Sequence, residues 1–179
     1  TGQEKNRSDL LADLWRDHGL LNVSQDELGN VTGSIAGDRS DRCFLVVANM
    51  DYAYPAGSEV PAHRDGSRIV GTGVYDNGAG LVVLLGAASI LAEAGVESPV
   101  EIMFGATVAE EWGGNLAGMR ALVDRLGDRL VGVINVGHDV ANVHHVALGA
   151  TTLQLDLTGP GGHSYAHIGT PSAVHALVT

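Results

Sequence analysis

The sequence predicts an α/β fold: a central, mostly parallel sheet flanked by helices, followed by the start of a small α+β domain. Three observations predict it. Residues 43–48 (C-F-L-V-V-A) are a continuous apolar run that suits a strand buried on both faces, and 100–107 (V-E-I-M-F-G-A-T) reads as a second buried strand. Helical patterns lie between and after them, and alternating strands and helices imply parallel pairing. Residues 152–158 then alternate strictly, Leu153, Leu155 and Leu157 against Gln154, Asp156 and Thr158. That period belongs to a half-exposed strand of an antiparallel or mixed sheet.

The elements follow in order. Residues 8–18 read as an amphipathic helix, with Leu10, Leu11, Leu14 and Trp15 on one face, Asp9, Asp13 and Asp17 on another, and Gly19 as its stop. The first buried strand, 43–48, follows the turn-rich G-D-R-S-D-R. Residues 52–68 are a loop punctuated by Pro and Gly. An apolar helix at 79–94 ends at Gly95, and the second strand is 100–107. A helix at 115–126 turns Leu116, Met119, Leu122, Val123 and Leu126 inward, and a third strand is 130–136. The boundary falls near Ala150. Residues 1–150 are one α/β domain, and 151–179 hold the first strand and partial helix of a second, incomplete domain.

Composition narrows the function. At 179 residues and 45% hydrophobic content, the chain holds one domain or slightly more and buries a core. With aromatics at 4% and 25 glycines, that core is aliphatic and its turns are tight. The 21 acidic against 10 basic residues give a formal charge of -11, which disfavours nucleic acid and anionic membranes as partners. A single cysteine, Cys43, reads as a small core residue and excludes an internal disulfide. No basic segment followed by an apolar run opens the chain, and no apolar stretch reaches about 18 residues. A cytoplasmic protein is expected.

In α/β sheets, ligands gather beyond the carboxyl ends of the strands. Those positions hold Asn49 and Asp51, then Glu110 and Glu111, then Gly137, His138 and Asp139, while Asp76 closes G-T-G-V-Y-D before the apolar helix. Each acid alone reads as a turn cap or a solvated helix start. Together they repel one another unless a cation or proton sits among them. Asp, Glu and His suit zinc or another divalent metal. Adjacent glutamates allow one to bind metal while the other serves as general base. A dinucleotide site is disfavoured, because Asp76 stands where G-x-G-x-x-G needs its third glycine. The G-P-G-G-H-S segment, 159–164, holds His163 at the tip of a fixed turn, where it can donate to an oxyanion.

Taken in order, the leading helix, D-E-L-G-N-V (26–31), V-V-A-N-M-D, G-T-G-V-Y-D-N-G-A-G-L, A-T-V-A-E-E-W-G and G-P-G-G-H-S resemble the N-terminal half of the co-catalytic zinc peptidases related to aminoacylase, carnosinase and peptidase T. The resemblance implies a metal-binding α/β domain, a lid that mediates dimerisation in many relatives, and hydrolysis of small peptides or N-acyl amino acids. It implies that Asp76 bridges two zinc ions, Glu111 binds one, and Glu110 is the general base. It further implies that Asp51 orients a metal ligand and that His163 contacts substrate or the oxyanion. Two ligand positions depart from the pattern. Asn49 stands where the family has histidine, and Val136–Gly137 stand where an acid is expected, leaving Asp139 or His138 as substitutes on a shifted loop. The last metal-binding histidine of relatives falls beyond this chain. Counted this way, neither site reaches the three protein ligands usual for catalytic zinc.

Three readings follow. One is metal-assisted amide hydrolysis, with a homo-oligomeric or complementing chain supplying what is missing. Another is a metal-independent acid/base enzyme on a small metabolite, with no cofactor. The third is a non-catalytic subunit on a decayed peptidase scaffold, a pseudoenzyme. The intact Glu110–Glu111 pair favours an enzyme.

Overall fold

The computed structural model describes residues 4–54, 57–139 and 141–178. Pro55 and Ala56, part of the loop read at 52–68, lie outside the described residues. Two compact units are present, Thr1–Asn142 and Val143–Thr179.

The first unit is built on a five-stranded sheet. Its elements are α1 (Lys5–Asp17), β1 (Leu21–Gln25), β2 (Val31–Ile35), β3 (Cys43–Asn49), β4 (His63–Asp65), β5 (Arg68–Val70), α2 (Gly80–Glu93), β6 (Glu101–Thr107), α3 (Ala117–Leu126) and β7 (Leu130–Asn135). The strand order is β1-β2-β6-β3-β7, and β4-β5 form a separate hairpin. β3 runs parallel to β6, pairing Asn49 with Thr107, and parallel to β7, pairing Val47 with Asn135.

The expected α/β class is present, with one correction. The sheet is mixed, because β1 and β2 add to β6 in antiparallel fashion. Their sequences hide this. L-N-V-S-Q is almost wholly exposed and carries Asn22 at φ 53 in a register shift, so neither of its faces is buried. V-T-G-S-I buries polar residues: Thr32 meets the Ser24 hydroxyl at 3.2 Å, and Ser34 accepts from Asn22 Nδ2 at 3.3 Å. Satisfied buried polar groups look like loop in a sequence. The β4-β5 hairpin likewise lies in the stretch read as loop.

β3 explains why the run at 43–48 carries no polar alternation. Cys43, Leu45 and Val47 face one helix layer with Leu122 and Leu126 of α3. Ala48 and the following Met50 face the other layer, with Leu11 and Trp15 of α1, Leu84 and Ala88 of α2, and Phe104 and Ala106 of β6. Both faces are covered, so both periods of the strand are apolar. Burial also pushes the Cys43 thiol up, as suits a core residue. The helix faces differ in detail from the sequence reading. On α1 the inward stripe is Ser8, Leu11, Ala12 and Trp15, while Leu10 is exposed. On α3 it is Gly118, Leu122 and Leu126, while Leu116 and Val123 are exposed.

The helical run Val74–Glu93 has 20 residues and a mean hydropathy of 1.5, long and apolar enough to cross a membrane by length and composition alone. It is longer than the apolar stretch visible in sequence because helical turns begin at Val74. Non-helical backbone interrupts it at Asp76 and Asn77, and its Leu84 and Ala88 are fully buried, while Val82 and Ile90 are exposed.

The D-E-L-G-N-V segment fastens the end of β6. Asp26 Oδ1 accepts from the backbone of Leu28, Gly29 and Asn30, and its Oδ2 accepts from Asn30 Nδ2 at 2.7 Å. Buried Asn30 then accepts from Val108 N at 3.0 Å and donates to Gly118 O at 3.1 Å. Gly118 has no room for a side chain, since a Cβ there would meet Asn30 Oδ1 and the Val108 backbone. Gly118→Ala is expected to cost about 2–3 kcal/mol through overpacking, read as a lowered urea midpoint at unchanged slope.

In the second unit, α4 (Ala173–Val178) is a short helix where the sequence suggested one. Residues 152–158 do not form the expected strand. A strand exists by its ladder, and among the described residues none pairs with this segment, whose Leu153 and Leu155 are exposed.

Candidate functional site

The C-terminal ends of β3, β6 and β7 lie side by side, with Met50 N donating to Thr107 O at 2.6 Å and Val136 N to Val47 O at 2.7 Å. Asp51 follows β3 and is 3% exposed. Its Oδ2 accepts from the backbone N–H of Glu110 at 2.8 Å and of Glu111 at 2.9 Å. One carboxylate therefore fixes the main chain that carries both glutamates. Asp51 Oδ1 is buried and has no hydrogen-bond partner among the described residues.

Electrostatics tie the acids together. Burial pushes the Glu110 carboxyl up, helped by the negative charges of Asp51 and Asp76. Burial also raises Glu111, with Glu110, Asp76 and Asp51 adding to the effect and His138 opposing it. Carboxyls crowded beside like charges are raised in this way wherever no cation sits among them. The fold thus brings Asp51, Asp76, Glu110 and Glu111 to one rim. His138 Nδ1 lies 3.4 Å from Asp76 Oδ1, and its ring sits 5.0 Å from that of Tyr75.

Asn77, which the sequence reading passed over, holds the rim together. It is 2% exposed, donates to Asn49 Oδ1 at 2.7 Å and to Val136 O at 2.9 Å, and accepts from Gly80 N at 3.1 Å. Asn49 Nδ2 in turn donates to Asp51 O at 3.3 Å. The available signal was D-N-G just before an apolar helix, where Asn suits the cap. Backbone strain collects in the same place. Ala109, Trp112, Asn115 and Leu116 all take positive φ, between 45° and 59°, around the glutamate pair. Non-glycine residues in this region persist where surrounding structure enforces them, and they concentrate at functional sites.

The Asp139 carboxylate accepts from Asn142 Nδ2 at 2.9 Å and Ala141 N at 3.3 Å. His163 belongs to the second unit. Its Nδ1 accepts from Tyr165 N at 3.2 Å and Ala166 N at 3.3 Å, and its own N–H donates to His167 Nδ1 at 2.8 Å.

The family described as Peptidase family M20/M25/M40 matches residues 46–177, most of the sequence and all of these acids. The chain belongs to this family. Solved structures agree on the fold. The chain is similar to LapA aminopeptidase of Legionella pneumophila (TM-score 0.55, 16% identity), covering 75% of this chain and 36% of that one. It is similar to LapB of the same organism (0.53, 22%), with 76% and 36% covered. It is also similar to a tripeptidase of Staphylococcus aureus (0.56, 24%), with 75% and 38% covered. This M20/M25/M40 chain therefore spans little more than a third of the length of those structures. No curated protein matches it.

M20/M25/M40 peptidases are generally metal-dependent. The residues present here do not fit a metal ion by themselves. Among the described residues, no three His, Cys, Asp or Glu side chains converge closely enough to hold one. Asn49 directs its oxygen to Asn77 and its nitrogen to Asp51 O.

Proposed function

We propose that this peptidase-family chain carries the acid–base part of a site hydrolysing amide bonds in small peptides or N-acyl amino acids. The observation that carries the reading is the Asp51 anchor, which fixes Glu110 and Glu111 together at the strand ends. In this reading Glu110 is the general base. It takes a proton from water as the oxygen attacks the carbonyl carbon, then passes it to the departing amine nitrogen. Its raised pKa brings it closer to neutrality, where a base is most effective. Asp51 positions it. For His163 the proposed role is a hydrogen-bond donor. Its Nδ1 already accepts, so in the neutral ring the proton resides on Nε2, free to meet an oxyanion.

Asp76 and Glu111 are proposed as the surviving metal-ligand positions, and no step above passes through a metal. A homo-oligomer or complementing chain and a cytoplasmic location go with this proposal. The neutral Asn49–Asn77 pair favours a second reading, metal-independent acid/base chemistry on a small metabolite.

One experiment separates the readings: assay of the whole protein on dipeptides and N-acetyl amino acids, with chelator and with added zinc. Hydrolysis that zinc raises and chelator abolishes supports the first reading. Turnover that survives chelator but is lost in Glu110→Gln supports the second. No turnover under either condition leaves the non-catalytic scaffold.

A further inference from the structure

We propose that the cavity at the amino end of β6, on the α3 face of the sheet, binds the phosphate group of a small phosphorylated metabolite. The cavity, of about 460 Å³, is lined by Ser24 of β1, Thr32 and Ser34 of β2, Glu101 of β6, Arg125 of α3 and Arg129 in the turn after it. Glu101 begins β6, and the acid rim lies past its other end, Thr107. Seven residues of strand put about 20 Å between the two. The cavity is therefore separate from the chemistry proposed for the rim.

The floor of this cavity is polar where packing alone would make it apolar. Ser34 pairs with Met103, which packs against the α3-side core of Leu45, Val47 and Leu122. Side chains alternate along a strand, so Thr32 shares that face with Ser34, while Val31 joins the core on the other side. Thr32 and Ser34 are 4% and 2% exposed, yet both are hydroxyls. Buried hydroxyls that border a cavity suit a polar occupant.

Donors are in surplus there, which sets the sign of the ligand. Arg125 Nη2 donates to Thr32 Oγ1 at 3.4 Å. Arg129 Nη2 donates to Ser40 O at 2.9 Å and to Glu101 Oε2 at 2.5 Å. The Nε and Nη1 of both arginines have no acceptor among the described residues. Ser34 Oγ accepts from Asn22 Nδ2, which leaves its own proton to give, and the Ser24–Thr32 pair has a second proton to spare. Glu101 is the one acid lining the cavity, and Arg129 neutralises it. Arg125 makes no ion pair among the described residues. One uncompensated positive charge amid spare donors takes an acceptor-rich anion. A phosphate group presents several charged oxygens in a tetrahedral array, and arginine binds it through charge-assisted hydrogen bonds. A carboxylate presents two in one plane, whereas the donors here come from two strands and a helix end. The volume exceeds that of a lone phosphate and leaves room for a small esterified group.

Calorimetry on the whole protein tests this at pH 7.5, after metal is stripped over a chelating resin. The probes are glycerol 3-phosphate, inorganic phosphate and acetate. Glycerol 3-phosphate is expected to bind saturably, with acetate about tenfold weaker. Arg125→Ala is expected to weaken the binding about tenfold or more, and Arg125→Lys, which keeps the charge without the fork, to recover only part. Arg125 is exposed, so a native urea midpoint is expected for both variants. Glu101→Gln removes the competing negative charge beside Arg129 and is expected to tighten binding about threefold. Glu110→Gln, at the far rim, is expected to leave it unchanged. No saturable binding of either phosphate, equal affinity for acetate, or native affinity in Arg125→Ala overturns the proposal. Loss of binding in Glu110→Gln would move the ligand to the rim and overturns it as well. Tighter binding of inorganic phosphate than of the ester would overturn the metabolite and assign the cavity to free phosphate.

Discussion

Asp51→Ala is expected to cost about 3–4 kcal/mol of stability and to abolish whatever turnover the site supports. The cause is local. Asp51 is a buried charge whose Oδ2 takes two backbone N–H groups, those of Glu110 and Glu111. A hydrogen bond to a charged group contributes about 1.5–3 kcal/mol, and its loss leaves the donors unsatisfied next to the core. The same main chain runs into the left-handed residues Trp112, Asn115 and Leu116, which the surroundings must hold in place. Without the anchor, that strain has an outlet. Asp51→Asn separates the two contributions of the residue. Its amide oxygen still accepts, so more than half of the lost stability is expected back. The negative charge beside Glu110 is gone, so the Glu110 carboxyl falls toward its ordinary value and the acid limb of the pH–rate profile moves to lower pH. Urea midpoints and pH profiles of both variants test this. An alanine variant within about 1 kcal/mol of the native protein would remove Asp51 from the role assigned to it.

The parallel half of the sheet and its rim were legible because their signal is strong and local. β3 is apolar as far as Ala48 and β6 from Ile102 to Ala106, and polar residues just past such runs fall at the rim where the strands end. That placement makes Asp51, Glu110 and Glu111 legible in the sequence. The antiparallel half was not legible. β1 is exposed and bulged, and β2 buries Thr32 and Ser34 by pairing their hydroxyls with Ser24 and Asn22. The solution to each buried polar group sits on the neighbouring strand, which a linear reading does not see. Asn77 shows the same limit at the site. As a letter it looks like a turn residue. In the fold its amide joins the ends of β3, β7 and α2 by contacting Asn49, Val136 and Gly80, so its importance comes from partners 28 and 59 residues away. The strand expected at 152–158 erred in the opposite direction, since alternation describes what a segment can pair with and not whether a partner is there.

Glu110→Gln is expected to lower turnover by about 10²–10⁴-fold while making the protein more stable at neutral pH. The two effects have one origin. Burial and the charges of Asp51 and Asp76 hold the folded-state pKa of Glu110 above its ordinary 4.5. The folded state therefore binds this proton more tightly than the unfolded state does. As pH rises past the unfolded value, the unfolded chain ionises first, and stability is lost until the folded group ionises as well. Above the unfolded value, burial and its neighbours' charges thus make Glu110 cost the folded protein stability that glutamine, permanently neutral, does not. Thermal melts are expected to place the variant above the native protein at pH 7, with the gap closing as pH falls toward 4.5. Activity should follow the opposite course, falling in the native protein as pH drops through the raised pKa and staying low throughout in the variant. A glutamate that merely supported the loop would show the reverse, with glutamine less stable at neutral pH and turnover nearly intact. The pairing of lost turnover with gained stability is what distinguishes a residue kept for its proton from one kept for its contacts.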